Sequence, residues 1–285
     1  MGFFDKKQNN NGYTDLSGMN INQQSYQTNQ YYDGSYEHNS YPNDFADQRY
    51  SYQQPMQNYN TEGSLSLSDF TRKVYTKMFI GLAITFGIGL FSVINPETTL
   101  SLIGNHIELF LILCGIEVLL VFVLGFFMEK MTSTAAYVIF YAYSIINGLT
   151  IAPTLVIFEM STVFWTIAVT ACIFGAMSFI GTVTKTDLSK LGPILMFGLI
   201  GLIIYSVIAL IFRIPMSDLI ISVIGIALFM GFTIYDTKKI RAFYTSSFMD
   251  PERQKKTVII AALQLYLDFI NLFLYILRLF ARNRD

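Results

Sequence analysis

From Val74 onward the chain is a succession of apolar stretches, each close to the length a helix needs to cross a bilayer, and that regularity leaves few folds open. A hydrocarbon layer of about 30 Å takes roughly 20 residues of helix. Seven such runs can be read, approximately Val74–Ile94, Ile107–Phe127, Thr134–Thr154, Thr162–Thr184, Pro193–Phe212, Ser217–Thr237 and Val258–Arg278. Asn95-Pro96-Glu97 supplies a turn after the first run, and Leu191-Gly192-Pro193 opens the fifth. The expected fold is an all-α membrane protein, a bundle of seven transmembrane helices.

Composition supports the same reading. The chain is 53% hydrophobic and 14% charged, where about a quarter charged is usual for a soluble domain. A net charge of −1, with no basic or base-stacking motif, sets nucleic acid aside as a partner. The two cysteines, Cys114 and Cys172, each sit in an apolar stretch without a thiol or histidine at metal-ligand spacing. They read as small buried hydrophobes.

The first 68 residues differ from the rest. Asn, Gln, Tyr, Ser and Asp dominate them, and Leu, Ile and Val are scarce before Leu65. Such a segment buries too little apolar surface to offset its ordering entropy. A disordered cytoplasmic tail is expected over residues 1–68, ahead of a membrane domain over 69–285. Gln30-Tyr31-Tyr32-Asp33 and Tyr50-Ser51-Tyr52-Gln53 resemble low-complexity tails that recruit partners, against the simpler reading of a solvated tether. Met1-Gly2-Phe3-Phe4-Asp5-Lys6 leads into no apolar core or cleavage site, so the tail is expected to be retained.

Basic residues set an orientation, because Lys and Arg beside the spans stay in the cytoplasm. Arg72, Lys73 and Lys77 flank the first span; Lys130 lies between the second and third, and Lys185 and Lys190 between the fourth and fifth. Lys238, Lys239, Arg241, Arg253, Lys255 and Lys256 fall between the sixth and seventh. The opposite connections contain only Arg213. The N-terminus is therefore placed in the cytoplasm. Arg278, Arg282 and Arg284 disagree, since seven crossings put them outside. Either the last helix crosses against the charge rule or it is re-entrant.

Inside the spans, the acids carry the functional argument. Asp236 ends one apolar run and Asp268 lies near the middle of the last. An intramembrane carboxylate is costly and marks a functional site by default. Gln264, Asp268, Asn271, Tyr275 and Arg278 are spaced by four, three, four and three residues, which stacks them on one helical face. That face must turn to the bundle interior or to water. Counted from Thr257, Asp268 lies roughly 16 Å deep, close to midplane.

Ile240, Ala242, Phe243 and Tyr244 can continue the sixth span for two more turns, bringing Asp236 to the depth of Asp268 on the neighbouring helix. Two acids in one poorly hydrated site do not both ionise cheaply, so the pair would share a proton and sense pH. The alternative is two isolated structural acids, each bonded to a carbonyl or to a tyrosine such as Tyr235. Glu117 is the third buried acid, near midplane in the second span, and reads either as a packing acid or as the lining of the outer half of a pathway. Asn147, with Tyr141, Tyr143, Ser144, Gly148 and Thr150, adds polar groups to the third span.

These residues resemble the Bax inhibitor-1 family, also called the transmembrane Bax inhibitor motif family, in its bacterial branch. The likeness rests on Gly231-Phe232-Thr233-Ile234-Tyr235-Asp236-Thr237-Lys238-Lys239-Ile240 and on Leu265-Tyr266-Leu267-Asp268-Phe269-Ile270-Asn271-Leu272-Phe273, followed by Leu277-Arg278. Asn147-Gly148-Leu149-Thr150 and Glu117 match more loosely, and the coverage runs from about Asp69 to Arg282. The resemblance implies a seven-helix bundle with the last helix at its centre, in the bacterial cytoplasmic membrane. It implies a pH-sensitive calcium leak gated by Asp236 and Asp268. It also implies a basic latch after the second span, where this chain offers only Lys130.

Calcium favours oxygen ligands but wants six to eight of them, so Asp236 and Asp268 as metal ligands would need water and carbonyls besides. The ion is expected as a permeant or weakly bound species, with no cofactor; the lipid bilayer and calcium are the expected partners. The competing reading is a non-transporting scaffold that binds membrane proteins, such as a quality-control protease, through its bundle or tail. No enzymatic activity is expected: an intramembrane aspartyl protease would carry Gly-x-Gly-Asp and Pro-Ala-Leu motifs, and here Asp268 follows Leu265-Tyr266-Leu267.

Overall fold

The computed structural model describes residues 65–97, 101, 107–212, 218–248 and 250–282. All but the last few residues of the expected tail lie outside them. Among these residues seven helices follow one another: α1 (Leu67–Ile94), α2 (Ile107–Phe126), α3 (Ser133–Ile157), α4 (Met160–Val183), α5 (Leu191–Phe212), α6 (Asp218–Ser247) and α7 (Pro251–Arg282). A 3-10 turn, Met128–Lys130, joins α2 to α3. No strand occurs among the described residues.

Six of the helices are long and apolar enough to cross a membrane, while the apolar stretch of α5, Leu191–Ser206, is shorter. Their outer surfaces suit lipid and not water. Phe126, Ile157, Trp165 and Phe197 are between 71% and 76% exposed, and apolar exposure on this scale marks a surface meant to be covered. Cys172 belongs to that outer surface and Cys114 is half-buried, so neither is the core residue its apolar surroundings suggested.

Local chemistry sets the helix ends. The Ser66 hydroxyl accepts from the Asp69 amide at 3.1 Å, and the Thr132 hydroxyl accepts from the Ala135 amide at 3.2 Å. Asp250 Oδ1 accepts from the amides of Glu252 and Arg253 at 2.9 and 3.1 Å, with Pro251 in the first helical position, where its missing N–H costs nothing. Between α4 and α5, the Ser189 hydroxyl and amide both donate to Asp187 Oδ1, and these bonds hold that carboxyl below its ordinary value.

The crossing of α1 and α3 is built from small residues. Gly81, Thr85 and Gly89 recur every four residues on α1, facing Ser144, Gly148 and Ala152 on α3, all buried. A methyl group on Gly148 would sit 2.9 Å from the Thr85 carbonyl oxygen and 2.9 Å from Ile88 Cβ, so the backbones approach as closely as glycine permits. Facing small-residue stripes of this kind drive helix association in lipid, where no hydrophobic effect acts between helices.

Beyond Thr237, where the sixth apolar run was expected to end, α6 continues to Ser247. Lys239 stays outward on this extension, its ammonium 5.7 Å from the Tyr235 ring and 4.9 Å from that of Phe243. Only residues 248–250 then separate α6 from α7. The last helix packs against α1, α3, α4 and α6. Its burial is wider than one polar face required: Leu265, Tyr266, Leu272 and Phe273 are all 0% exposed.

At its start, α7 is tied to the other helix ends. Gln254, 1% exposed, accepts from the Leu65 amide at 2.8 Å and donates back to the Leu65 carbonyl at 3.5 Å. Ser133 donates to Glu252 at 3.3 Å, and Arg253 pairs with Glu129 at 3.2 Å.

Candidate functional site

Among the described residues, two polar sites inside the bundle are built on α7. The first pairs α7 with α6. Tyr275 stacks on Phe229 with ring centroids 5.9 Å apart. Asp268 and Asp236 each lie two turns from that contact toward the α6–α7 connection, which puts them at one depth.

Both acids are buried, Asp236 at 8% and Asp268 at 4% exposure. The charge of Asp236 acts directly on Asp268. The charge of Lys239, one turn further along α6, acts on Asp236. Asp268 Oδ2 and Gln264 Oε1 are buried and have no hydrogen-bond partner among the described residues. Gln264 precedes Asp268 by one turn on the same helical face, so two oxygens left without donors border the aspartate pair.

The wall behind Asp236 is close-packed. A methyl group on Gly181 of α4 would lie 2.6 Å from the Ile234 carbonyl oxygen, and Thr237 donates to Ser178 at 3.3 Å. Tyr235 is directed to α5, where a methyl group on Gly192 would meet its hydroxyl at 2.6 Å. Among the described residues no group of three His, Cys, Asp or Glu side chains assembles into a metal cage. Two carboxylates and an amide oxygen fall short of the six to eight ligands that calcium takes when held. They suit proton exchange and the brief passage of a cation.

The second site joins α2, α3, α7 and α1. Asn147 Nδ2 donates to Glu117 Oε1, and Thr150 Oγ1 lies 3.0 Å from Glu117 Oε2 and equally far from the Asn147 carbonyl oxygen. Tyr143 lines the same cavity as Glu117. On the far side of Asn147, the Tyr266 hydroxyl donates to Oδ1 at 2.9 Å and lies 2.6 Å from Thr85 Oγ1. The ring of Tyr266 is held edge-on by Phe140 and Tyr143, with centroids at 5.8 and 5.6 Å. A cavity of about 260 Å³ opens beside Glu117, lined by Asn147, Thr150 and Thr154 from α3 and by Asn271 and Leu274 from α7, among others.

The residues singled out from the sequence therefore divide. Asp236, Asp268 and Gln264 share one region, while Glu117, Asn147 and Asn271 share the other. Tyr235 serves α5. Lys130 sits in the 3-10 turn with its ammonium 5.9 Å from the Phe127 ring, and no contact among the described residues brings it to either aspartate. Sequence reasoning did not give Thr85 or Tyr266 a role of their own. For Thr85 the signal was present, since it is the middle member of the Gly81, Thr85, Gly89 stripe.

Comparison with known proteins agrees with this architecture. A family model described as inhibitor of apoptosis-promoting Bax1 matches residues 67–285. The inner membrane protein YbhL of Escherichia coli K12 is 32% identical over 219 residues, covering 76% of this chain and 93% of YbhL. A Borreliella burgdorferi protein is 33% identical over 216 residues, with 76% of this chain and 93% of the relative covered. A Deinococcus radiodurans protein reaches 34% over 216 residues, with 76% and 91% covered. With helices, polar motifs and relatives all in agreement, the chain belongs to the Bax inhibitor-1 family of membrane proteins.

Proposed function

We propose that this protein is a passive cation leak of the bacterial cytoplasmic membrane, carrying calcium, whose opening follows the proton count of Asp236 and Asp268. The observation that carries the reading is the pair itself: two buried carboxyls on consecutive helices, electrostatically joined, beside oxygens left without donors. A buried acceptor without a donor costs about 1–3 kcal/mol. A site that retains two such atoms is poised to take up a proton or a passing cation. Loss of a proton adds a second negative charge between α6 and α7, and their mutual repulsion favours separation of the two helices.

In this reading all seven helices cross, with α5 included, α7 is the central helix and the N-terminus is cytoplasmic. The basic residues at the α4–α5 and α6–α7 connections support that orientation. Calcium is cargo and not a resident cofactor. Glu117 and Asn271 line the outer half of the route through the cavity between α2, α3 and α7.

Calcium flux into proteoliposomes over a pH series tests the proposal. The parent protein is expected to pass calcium in a pH-dependent way, and Asp236→Asn and Asp268→Asn are each expected to flatten the profile. The double variant should cost less than the sum of the singles, as for residues acting as one unit. Purified protein that passes no calcium at any pH, or two additive effects with the profile intact, would sink it.

A further inference from the structure

The hydrogen bonds beyond Glu117 form a chain in which protons can be assigned in two ways. Asn147 lies between Glu117 and Tyr266, and a half-turn of its amide exchanges the donor end for the acceptor end. In the structure, Nδ2 donates to Glu117 and Oδ1 accepts from the Tyr266 hydroxyl at 2.9 Å. The Tyr266 hydroxyl is 2.6 Å from Thr85 Oγ1, which in turn is 2.8 Å from the Ser144 carbonyl oxygen.

Each hydroxyl has one proton. When the proton of Tyr266 goes to Asn147, Thr85 must give its own to Tyr266, and the Ser144 carbonyl receives none from Thr85. When Thr85 donates to Ser144, Tyr266 donates to Thr85, and Asn147 must turn its NH2 toward Tyr266 and its carbonyl toward Glu117. A carbonyl facing a carboxylate is repulsive, whereas a carbonyl facing a carboxylic acid is a hydrogen bond. The first arrangement therefore fits ionised Glu117 and the second fits protonated Glu117. Each satisfies every member of the chain from Glu117 to Thr85, and chains of this kind polarise cooperatively.

We propose that Asn147 and Tyr266 are positioning residues that transmit the proton state of Glu117 to the crossing of α1 and α3, by reversing a hydrogen-bond chain that ends on Thr85 and the Ser144 carbonyl. The geometry suits both ends of the task. Glu117 borders a cavity of about 260 Å³ from which a proton can arrive. At the other end, Ser144 Oγ would lie 3.0 Å from a methyl group on Gly81, and the Thr85 carbonyl 2.9 Å from one on Gly148, so the chain terminates where the two backbones have no slack.

The titratable groups that face Glu117 are Tyr143 on α3, Tyr266 on α7 and Cys114 on its own helix. The charged residues of the 3-10 turn, Glu129 and Lys130, lie at the far end of α2. Asp236 and Asp268 are not members of the chain, and the relay does not depend on whether Glu117 also borders an ion route.

The test is fluorine NMR of the full-length protein in lipid bilayers, with 3-fluorotyrosine placed at position 266. The resonance is expected to move between two limits across a pH series. Glu117→Gln is expected to freeze it, Asn147→Ala to freeze it with Glu117 still present, and Asp236→Asn to leave it moving. A resonance fixed across pH in the parent would overturn the proposal. So would one that still moves in Glu117→Gln or in Asn147→Ala, or one that Asp236→Asn freezes. Should Glu117→Gln not fold, the Asn147→Ala measurement decides alone. A protein that passes no calcium leaves the result readable, because the reporter is a side chain and not a flux.

Discussion

The two polar sites on α7 solve the same problem in opposite ways. Around Glu117 both carboxyl oxygens find a donor: Asn147 and Thr150 reach the carboxyl, and Tyr266 and Thr85 continue the chain into α1. Around Asp268, one carboxyl oxygen and the neighbouring Gln264 oxygen have none among the described residues. A saturated network fixes helices in place, because breaking any member orphans its neighbours. An unsaturated pair of acids does little for packing and is sensitive to proton and cation. One helix thus carries a saturated polar site and an unsaturated one, and the number of donors tells them apart.

Substitution by leucine should separate the two sites by the largest margin. Asn147→Leu removes a residue that bonds both Glu117 and Tyr266, leaving buried Tyr266 and half-buried Glu117 without it; a loss of about 3 kcal/mol is expected, since an orphaned buried group costs about 1–3 kcal/mol and Glu117 adds to it. Asp268→Leu replaces a carboxyl of which one buried oxygen already lacks a donor. Thermal unfolding in detergent is expected to show it within about 1 kcal/mol of the parent, or more stable, because buried charged groups are often replaced by apolar ones without loss. Equal destabilisation by the two changes would erase the distinction.

Backbone contact gives a second, smaller handle. Gly181→Val would press a side chain on the Ile234 carbonyl and part α4 from α6 beside Asp236, and Gly148→Val would do the same between α1 and α3 beside Thr85. Each is expected to cost about 1–3 kcal/mol of stability by overpacking. Their functional effects should differ. Gly181→Val is predicted to alter the pH dependence of flux, and Gly148→Val to alter the position-266 fluorine resonance. The reverse assignment would mean that the sites are not separate.

Much of this fold was legible because lipid imposes a simple rule: long apolar runs must be helices. The starts of α5 and the extension of α6 followed from Leu191-Gly192-Pro193 and from the apolar residues after Asp236. Register also set an expectation for the two acids, since groups flanking one short connection fall at one depth if both helices are straight, and both are buried. Grouping was harder to read. Glu117 read either as a packing acid or as the lining of a pathway, because depth is visible in a sequence, whereas the side of a helix that meets a given neighbour depends on how the helices are arranged around it. Thr85 was missed because a single hydroxyl in an apolar helix looks incidental until its spacing from Gly81 and Gly89 is set against Ser144, Gly148 and Ala152. Lys130 was proposed from its place after the second span, and place in the chain did not carry it to the aspartates.

The smallest expected effect concerns the start of α7, which both sites share. Gln254 bonds the amide and the carbonyl of Leu65, joining α7 to the chain just ahead of α1. Gln254→Ala is expected to cost about 1 kcal/mol, the net worth of such bonds, while leaving both the flux profile and the fluorine titration unchanged, because it lies more than three turns from Asp268 and from Tyr266. Trimming the chain sharpens the point. Deleting residues 1–64 retains Leu65 and the Ser66 cap and should leave the melting temperature where it was. Deleting residues 1–66 removes both and should cost more than Gln254→Ala alone, by about the 0.5–2 kcal/mol that a helix cap contributes. A marked loss from the shorter deletion would show that the Asn/Gln/Tyr-rich segment supports the bundle. A change in only one of the two titrations after Gln254→Ala would show that the helix transmits strain from its end to that site alone, and the contrast between the sites would then lie partly in α7 itself and not only in the donors around each acid.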